Sequence, residues 1–309
     1  VLAPPPDPFR ENRDVNPQRS TCTPLTNGLS VDVEDWFQVG AFEGVIDRGN
    51  WDSLSMRVER NCEMILEMFA EADVLATFFT LGWVAKRYPA LMRRIANAGH
   101  EMASHGWDHA RVFQMDRASF KIDLEMSRKT IEDTSGVKVS GYRAPSFSID
   151  HRTPWAFMEL AEQGFAYSSS VAPIAHDHYG WRDAPRFAFK PLAGADLIEI
   201  PVTTAEFAGR RLAAGGGGFF RVLPYAFSRW AIRQVNRRDE RPAVFYFHPW
   251  EIDPGQPRVP NASMKSKLRH YTNLEGMAGK LKQLIGDFRW GRMDALAGRE
   301  AMKAAVLTA

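Results

Sequence analysis

From Gly28 to Phe247, short apolar runs alternate with longer stretches of helical period, and this rhythm constrains the fold more than any other property of the chain. Short strand-like runs fall at 28–33, 76–81, 101–105, 139–142, 165–169, 197–202 and 243–247. Between them, 57–72, 88–98, 117–134, about 154–163 and about 224–236 carry apolar residues every three to four positions, the spacing of a helix with one buried face. This alternation of strand and helix predicts parallel βαβ units. Seven of them over roughly 220 residues predict a closed or nearly closed α/β barrel rather than an open sheet.

Flanking segments read differently. Residues 1–27 are rich in Pro, Arg, Asn and Asp without periodicity, which predicts an extended arm. The barrel is expected over 28–255 and an extension packing on it over 256–309, where Leu274, Met277, Leu281, Leu284, Ile285 and Phe288 mark an amphipathic helix. Residues 209–218, ending in four glycines, are expected to form a flexible loop; they lack the GxxxxGK[ST] pattern of a phosphate cradle.

Composition removes several classes of function. A net charge of +2 with no long run of like charge gives no nucleic-acid footprint, and no run of eighteen apolar residues is present to span a membrane. Two cysteines, Cys22 and Cys62, make no disulfide framework and no metal spacing. No export leader is visible, so a cytoplasmic location is the expectation. Nothing in the pattern speaks to oligomeric state.

In a parallel barrel, reactive groups gather where strands end at their C-terminal edge. The strand-like runs deliver polar residues there: Asp32, Glu34 and Asp35 after the first, His105 and His109 after the third, Arg143-Ala144-Pro145 after the fourth, Ser168-Ser169-Ser170 after the fifth and His248 after the last. Two histidines four residues apart can converge on one ion if the second sits on the first turn of a helix. A carboxylate from the first strand end would complete such a site. Alternation along a strand puts Asp32 and Glu34 on one face, which favours Glu34 as ligand, although Asp35, past the strand end, could turn inward instead.

These residues resemble the polysaccharide deacetylase superfamily, carbohydrate esterase family 4, also called the NodB homology domain. The likeness is carried by Asp32-Val33-Glu34-Asp35, His105-Gly106-Trp107-Asp108-His109, Arg143-Ala144-Pro145 and Phe247-His248-Pro249. The strings SVDVEDWFQV, HDHYG, FYFHPWEIDP and RHYTNLEGM are similar to deacetylases of bacterial exopolysaccharide and exosortase gene clusters. The resemblance implies a distorted (β/α)7 barrel with a C-terminal helical extension and a metal-dependent hydrolase that removes N-acetyl groups from an amino-sugar glycan or its lipid-linked precursor. It implies Asp32 as general base, His248 as acid, Arg143 as partner of Asp32, and Glu34 or Asp35 with His105 and His109 as metal ligands. Pro145, Trp36 and Trp250 are the expected sugar contacts, with Phe37, Trp107 and Tyr179 as further aromatic candidates.

Two departures matter. Many relatives have adjacent acids where this chain has Asp-x-Glu-Asp, and the acid of the family's fourth motif is replaced by Ser168, leaving Asp177 as the candidate partner for His248. The metal expected is zinc, with cobalt, nickel, manganese and iron accepting the same ligands. Rival readings keep the barrel but act on a small amide or bind glycan without catalysis; a glycosidase using the clustered acids leaves both histidines unexplained.

Overall fold

The computed structural model describes residues 25–175 and 179–307. Most of the expected arm, Cys22 and Asp177 therefore lie outside the described residues. In chain order the strands are β1 (Asn27–Val33), β2 (Thr77–Thr80), β3 (Glu101–Ser104), β4 (Gly141–Tyr142), β5 (Tyr167–Ser168) and β6 (Phe189–Lys190). They continue as β7 (Ile198–Glu199), β8 (Thr204–Phe207), β9 (Arg210–Ala213), β10 (Val244–Phe247), β11 (Trp290–Gly291) and β12 (Ala305–Val306). The α-helices are α1 (Val58–Glu71), α2 (Gly82–Arg87), α3 (Pro89–Asn97), α4 (Arg117–Ser135) and α5 (Ala156–Glu162). After them come α6 (Gly217–Val222), α7 (Tyr225–Arg237), α8 (Met264–Tyr271), α9 (Leu274–Asp287) and α10 (Met293–Ala301).

Seven strands run parallel in the spatial order β10-β1-β2-β3-β4-β5-β7, the order expected of a barrel wound in one direction. Closure between β7 and β10 is irregular. The Val244 N–H donates to Thr203 Oγ1 at 2.6 Å, and the Tyr246 N–H donates to the Gly215 carbonyl at 2.8 Å. The result is a distorted α/β barrel whose last seam is sewn by a threonine hydroxyl and loop backbone instead of a full ladder. β6 joins β7 antiparallel and carries β12 beyond it.

β1 shows how the pattern builds both layers. All seven residues are buried; Leu29, Val31 and Val33 pack outward among α1, α3 and their neighbours, while Ser30 and Asp32 face the barrel interior, where both meet Arg143. A second apolar cluster fills that interior with Phe79, Ala103, Tyr167, Ile198 and Val244, and α10 plugs its base through Met293 and Leu296. β11 pairs with the start of β1, so the C-terminal extension joins the main sheet. α9 buries Leu274, Met277, Leu281, Leu284 and Ile285, the face its spacing predicts.

The flexible loop expected over 209–218 is instead the second strand of a hairpin, a three-residue connection and the start of a helix. β8 and β9 pair antiparallel, and α6 begins at Gly217. The glycines serve close approach: a Cβ on Gly215 would meet the Val244 carbonyl and lie 2.8 Å from Thr203 N, and a Cβ on Gly217 would collide with the Glu251 carboxylate. Glycine here closes the barrel rather than loosening a linker.

Candidate active site

The strand ends do converge. One ligand atom from each of Glu34, His105 and His109 lies within 4.8 Å of the others, and all three residues are buried. The route to this geometry differs from expectation, because residues 105–110 form no helix. Gly106 at φ 75° and His109 at φ 62° turn the chain back on itself and bring the two imidazole centroids to 5.5 Å. The loop is pinned from outside: Asp123 of α4 accepts the Trp107 N–H at 3.1 Å, and the first N–H groups of α2, on Gly82 and Trp83, donate to the carbonyls of Gly106 and Trp107. Those N–H groups have no partner inside their own helix, so the loop and the helix end satisfy each other.

The donor chemistry fits a divalent cation. His105 Nδ1 lies 2.8 Å from the Arg143 carbonyl, which can only accept, so Nδ1 carries the hydrogen and Nε2 keeps a lone pair. Burial pushes His105 down to about 4, which keeps it neutral at neutral pH. Burial would raise Glu34, but the imidazoles of His109, His248 and His105 outweigh it and hold the carboxyl far below its ordinary range. Glu34 Oε2 is buried, lies 2.9 Å from His109 Nε2 and receives no hydrogen bond of good geometry. A buried anionic oxygen without a donor, beside two imidazoles, is the arrangement a cation completes.

Asp35 does not join the cluster, which corrects its place among the ligand candidates. Its Oδ2 accepts the N–H groups of Arg57 and Val58 at 2.7 and 3.0 Å, and its Oδ1 accepts that of Trp36. It caps the start of α1 across the fold, a task the local sequence of that helix leaves open because Arg57 offers no capping oxygen. Burial nonetheless lifts its carboxyl to about 6, against the pull of those bonds.

Beside the cluster, Arg143 is wholly buried and donates through Nη1 to Asp32 Oδ1 at 2.6 Å and to Ser30 Oγ at 2.8 Å. Its remaining donors go to Ser169, and its guanidinium lies 4.0 Å from the Phe79 ring centroid. An arginine held on every side fixes the carboxylate it touches. The serine triplet at the end of β5 is thereby accounted for: Ser169 holds Arg143, Ser170 Oγ takes the Ala144 N–H at 2.9 Å, and Ser168 Oγ donates to Ser170 Oγ at 2.8 Å.

His248 faces Glu34 Oε1 at 3.5 Å through Nε2 and Glu251 Oε2 at 3.3 Å through Nδ1. Burial alone would lower it, but the Glu34 and Glu251 carboxylates prevail and push it up to about 9. Glu251 is the residue that sequence reasoning missed as its partner. The signal was present, since a glutamate three residues after a helix-capping position reads as a capping box, and the His248 N–H donates to Glu251 Oε2 at 3.0 Å. Arg221 gave no such signal. It is almost fully buried, pairs with Glu251 at 2.9 Å and donates to the carbonyls of Arg269, His270 and Thr272, tying α6 to the end of α8.

Asp32, Glu34, His105, His109 and His248 open into one cavity of about 370 Å³. Trp250 lines it and donates from Nε1 to Glu34 Oε1 at 3.1 Å. Tyr179 lines it too. Two expected sugar contacts need correction. Trp36 is 4% exposed, packs edge-on against Phe37 and donates to the Ser55 carbonyl, so it belongs to the core beneath the loop after β1. Pro145 is buried and shapes the turn, while the next two residues, Ser146 and Phe147, reach the cavity wall. Phe37 is likewise core, and Trp107 covers the start of α2.

Residues 47–164 match the family described as polysaccharide deacetylase, and residues 169–298 match a domain of unknown function, DUF3473. A peptidoglycan deacetylase of Helicobacter pylori is 29% identical over 151 residues, covering 44% of this chain and 50% of that protein. A chitooligosaccharide deacetylase of Sinorhizobium fredii is 32% identical over 135 residues, covering 43% of this chain and 55% of that one. The aligned stretch thus spans about half the length of either relative. A crystal structure from Mycobacterium smegmatis, provisionally described as a polysaccharide deacetylase, superimposes with a TM-score of 0.60 at 22% identity, over 93% of this chain and 98% of that one, a likeness of fold.

Proposed function

This chain belongs to the polysaccharide deacetylase superfamily, and from that premise we propose that it is a metal-dependent hydrolase removing N-acetyl groups from an amino-sugar glycan in the making of a bacterial exopolysaccharide. The observation that carries the reading is the convergence of three groups on one cavity: Glu34 with His105 and His109, Asp32 with Arg143, and His248 with Glu251. A carbohydrate amide needs those three functions together.

Glu34, His105 and His109 would hold the ion, for which zinc is our choice from the mixed imidazole and carboxylate donors. Bound there, it would supply Lewis acidity toward the acyl oxygen and a more acidic water. Asp32 takes a proton as water oxygen bonds to the acyl carbon, and Arg143 keeps that carboxylate aimed. Of the stretch 144–146, Ala144 has given its N–H to Ser170 and Pro145 has none, so the Ser146 N–H is the backbone donor for the developing oxyanion. His248, kept protonated by the Glu251 carboxylate beside its Nδ1, passes a proton to the nitrogen as the C–N bond breaks. Acetate and a free amine result.

The test is acetate release from N-acetylhexosamine oligomers by zinc-loaded protein, with and without a chelator. The expected outcome is turnover abolished by chelation and by His105→Ala, which also strips the bound metal. Undiminished release from His105→Ala would overturn the reading.

A further inference from the structure

We propose that the outer face of α8 docks on an anionic lipid bilayer, so that the catalytic cavity opens beside a membrane surface. The helix has two working faces. Lys265, Ser266 and Arg269 line the cavity, whereas Met264, Lys267, Leu268 and Tyr271 line a separate outward groove of about 450 Å³. Met264 is 70% exposed and Leu268 63%, and their spacing of four puts them in one stripe on successive turns. Two large apolar side chains side by side in water are a feature to be explained.

Charge narrows the occupant. Between Asp253 and Glu275 the chain has no carboxylate side chain, and the outer groove carries two cations, Arg258 and Lys267. The first lies 4.2 Å from the Tyr271 ring centroid and the second donates to the Pro260 carbonyl at 2.7 Å, contacts that leave the positive charge of each in place. A face with apolar side chains protruding among cations complements a surface that is negative outside and apolar a few ångströms below, which describes a bilayer with anionic headgroups. A folded protein partner calls for a broad shaped patch, while protruding side chains on a shallow groove suit a fluid surface. Eight residues give α8 a length of about 12 Å, so the contact is adsorption of one helical face.

The inference stands on this face alone and is independent of the chemistry proposed for the cavity. Joined to that reading, it names the substrate as glycan still tethered to lipid, because cavity and groove lie on either side of one helix.

The experiment is co-sedimentation of the full chain with vesicles of phosphatidylcholine alone and of phosphatidylcholine mixed with phosphatidylglycerol, at low and high salt. Association is expected with the mixed vesicles only, weakening with salt, and falling about tenfold or more in the Met264→Glu/Leu268→Glu variant. Acetate release from a soluble oligosaccharide is expected to be unchanged in that variant, so a failure of docking and a failure of the enzymatic reading are told apart. Equal association with both vesicle types, full retention by the variant, or no association at all, as when the face serves a protein partner instead, overturns the proposal.

Discussion

His248 sits between two carboxylates, and its behaviour decides which of them matters for proton donation. Glu34 belongs to the proposed ligand set, so a cation there draws off much of its influence, leaving Glu251 as the group that keeps the imidazole protonated. Glu251 is itself held down as a carboxylate: burial would raise it, but Arg221 at 2.9 Å prevails. Replacing Glu251 by Gln removes a negative charge next to Nδ1 while keeping its size. The proton-donating form of His248 is then lost at lower pH, so the alkaline limb of the kcat profile is expected to move down by about one pH unit. Metal content should not change. A profile that keeps its alkaline limb while merely losing height would reduce Glu251 to a structural prop.

At the level of elements, the loop between β3 and α4 shows what could be read from the chain and what could not. Seven strand runs in alternation were legible because each must be buried on two faces, and β1 to β5, β7 and β10 stand where the apolar runs fall. The strand-end chemistry followed, since a parallel sheet brings its C-terminal edges to one rim. Local backbone was less legible. Histidines four apart suggested a helical turn, whereas Gly106 and His109 use positive φ, information that the spacing does not contain. Roles fixed by distant backbone were hidden for the same reason: Asp35 serves the start of α1, and Gly215 and Gly217 serve β10 and the turn after it. Gly106 gives this a direct test. At φ 75°, with a Cβ that would lie 3.0 Å from Asp123 Oδ2, Gly106→Ala should cost about 1–2 kcal/mol. It should also loosen the imidazole pair. Thermal melts and zinc titration measure the two effects, and unaltered zinc affinity would show that the loop geometry is dispensable.

Across the whole molecule, the interior carries an unusual load of ionisable groups, and their combined shifts set how stability varies with pH. Burial pushes Glu101, Asp123 and Glu199 each up to about 7, although hydrogen bonds oppose it in every case. His248 is pushed up to about 9. In the other direction, burial lowers His100 and His105 to about 4 and His270 to about 3. Between about pH 4 and 6.5 the two sets oppose each other, because the folded chain holds extra protons on its carboxyls and lacks them on its imidazoles. Above 6.5 the opposition ends. The unfolded imidazole of His248 loses its proton near 6.5 and the folded one only near 9, so the folded state binds more protons throughout that window. Stability must therefore fall as pH rises from about 6.5 to 9, by an amount on the order of 3 kcal/mol from His248, with the last of the carboxyl contributions vanishing near 7. Calorimetric melting of metal-free protein across this range should show a steady decline in Tm that His248→Gln flattens. A melting temperature that holds level or climbs toward pH 9 would mean that the carboxylates around His248 do not bind its proton, and the acid proposed for the reaction would lose its physical basis.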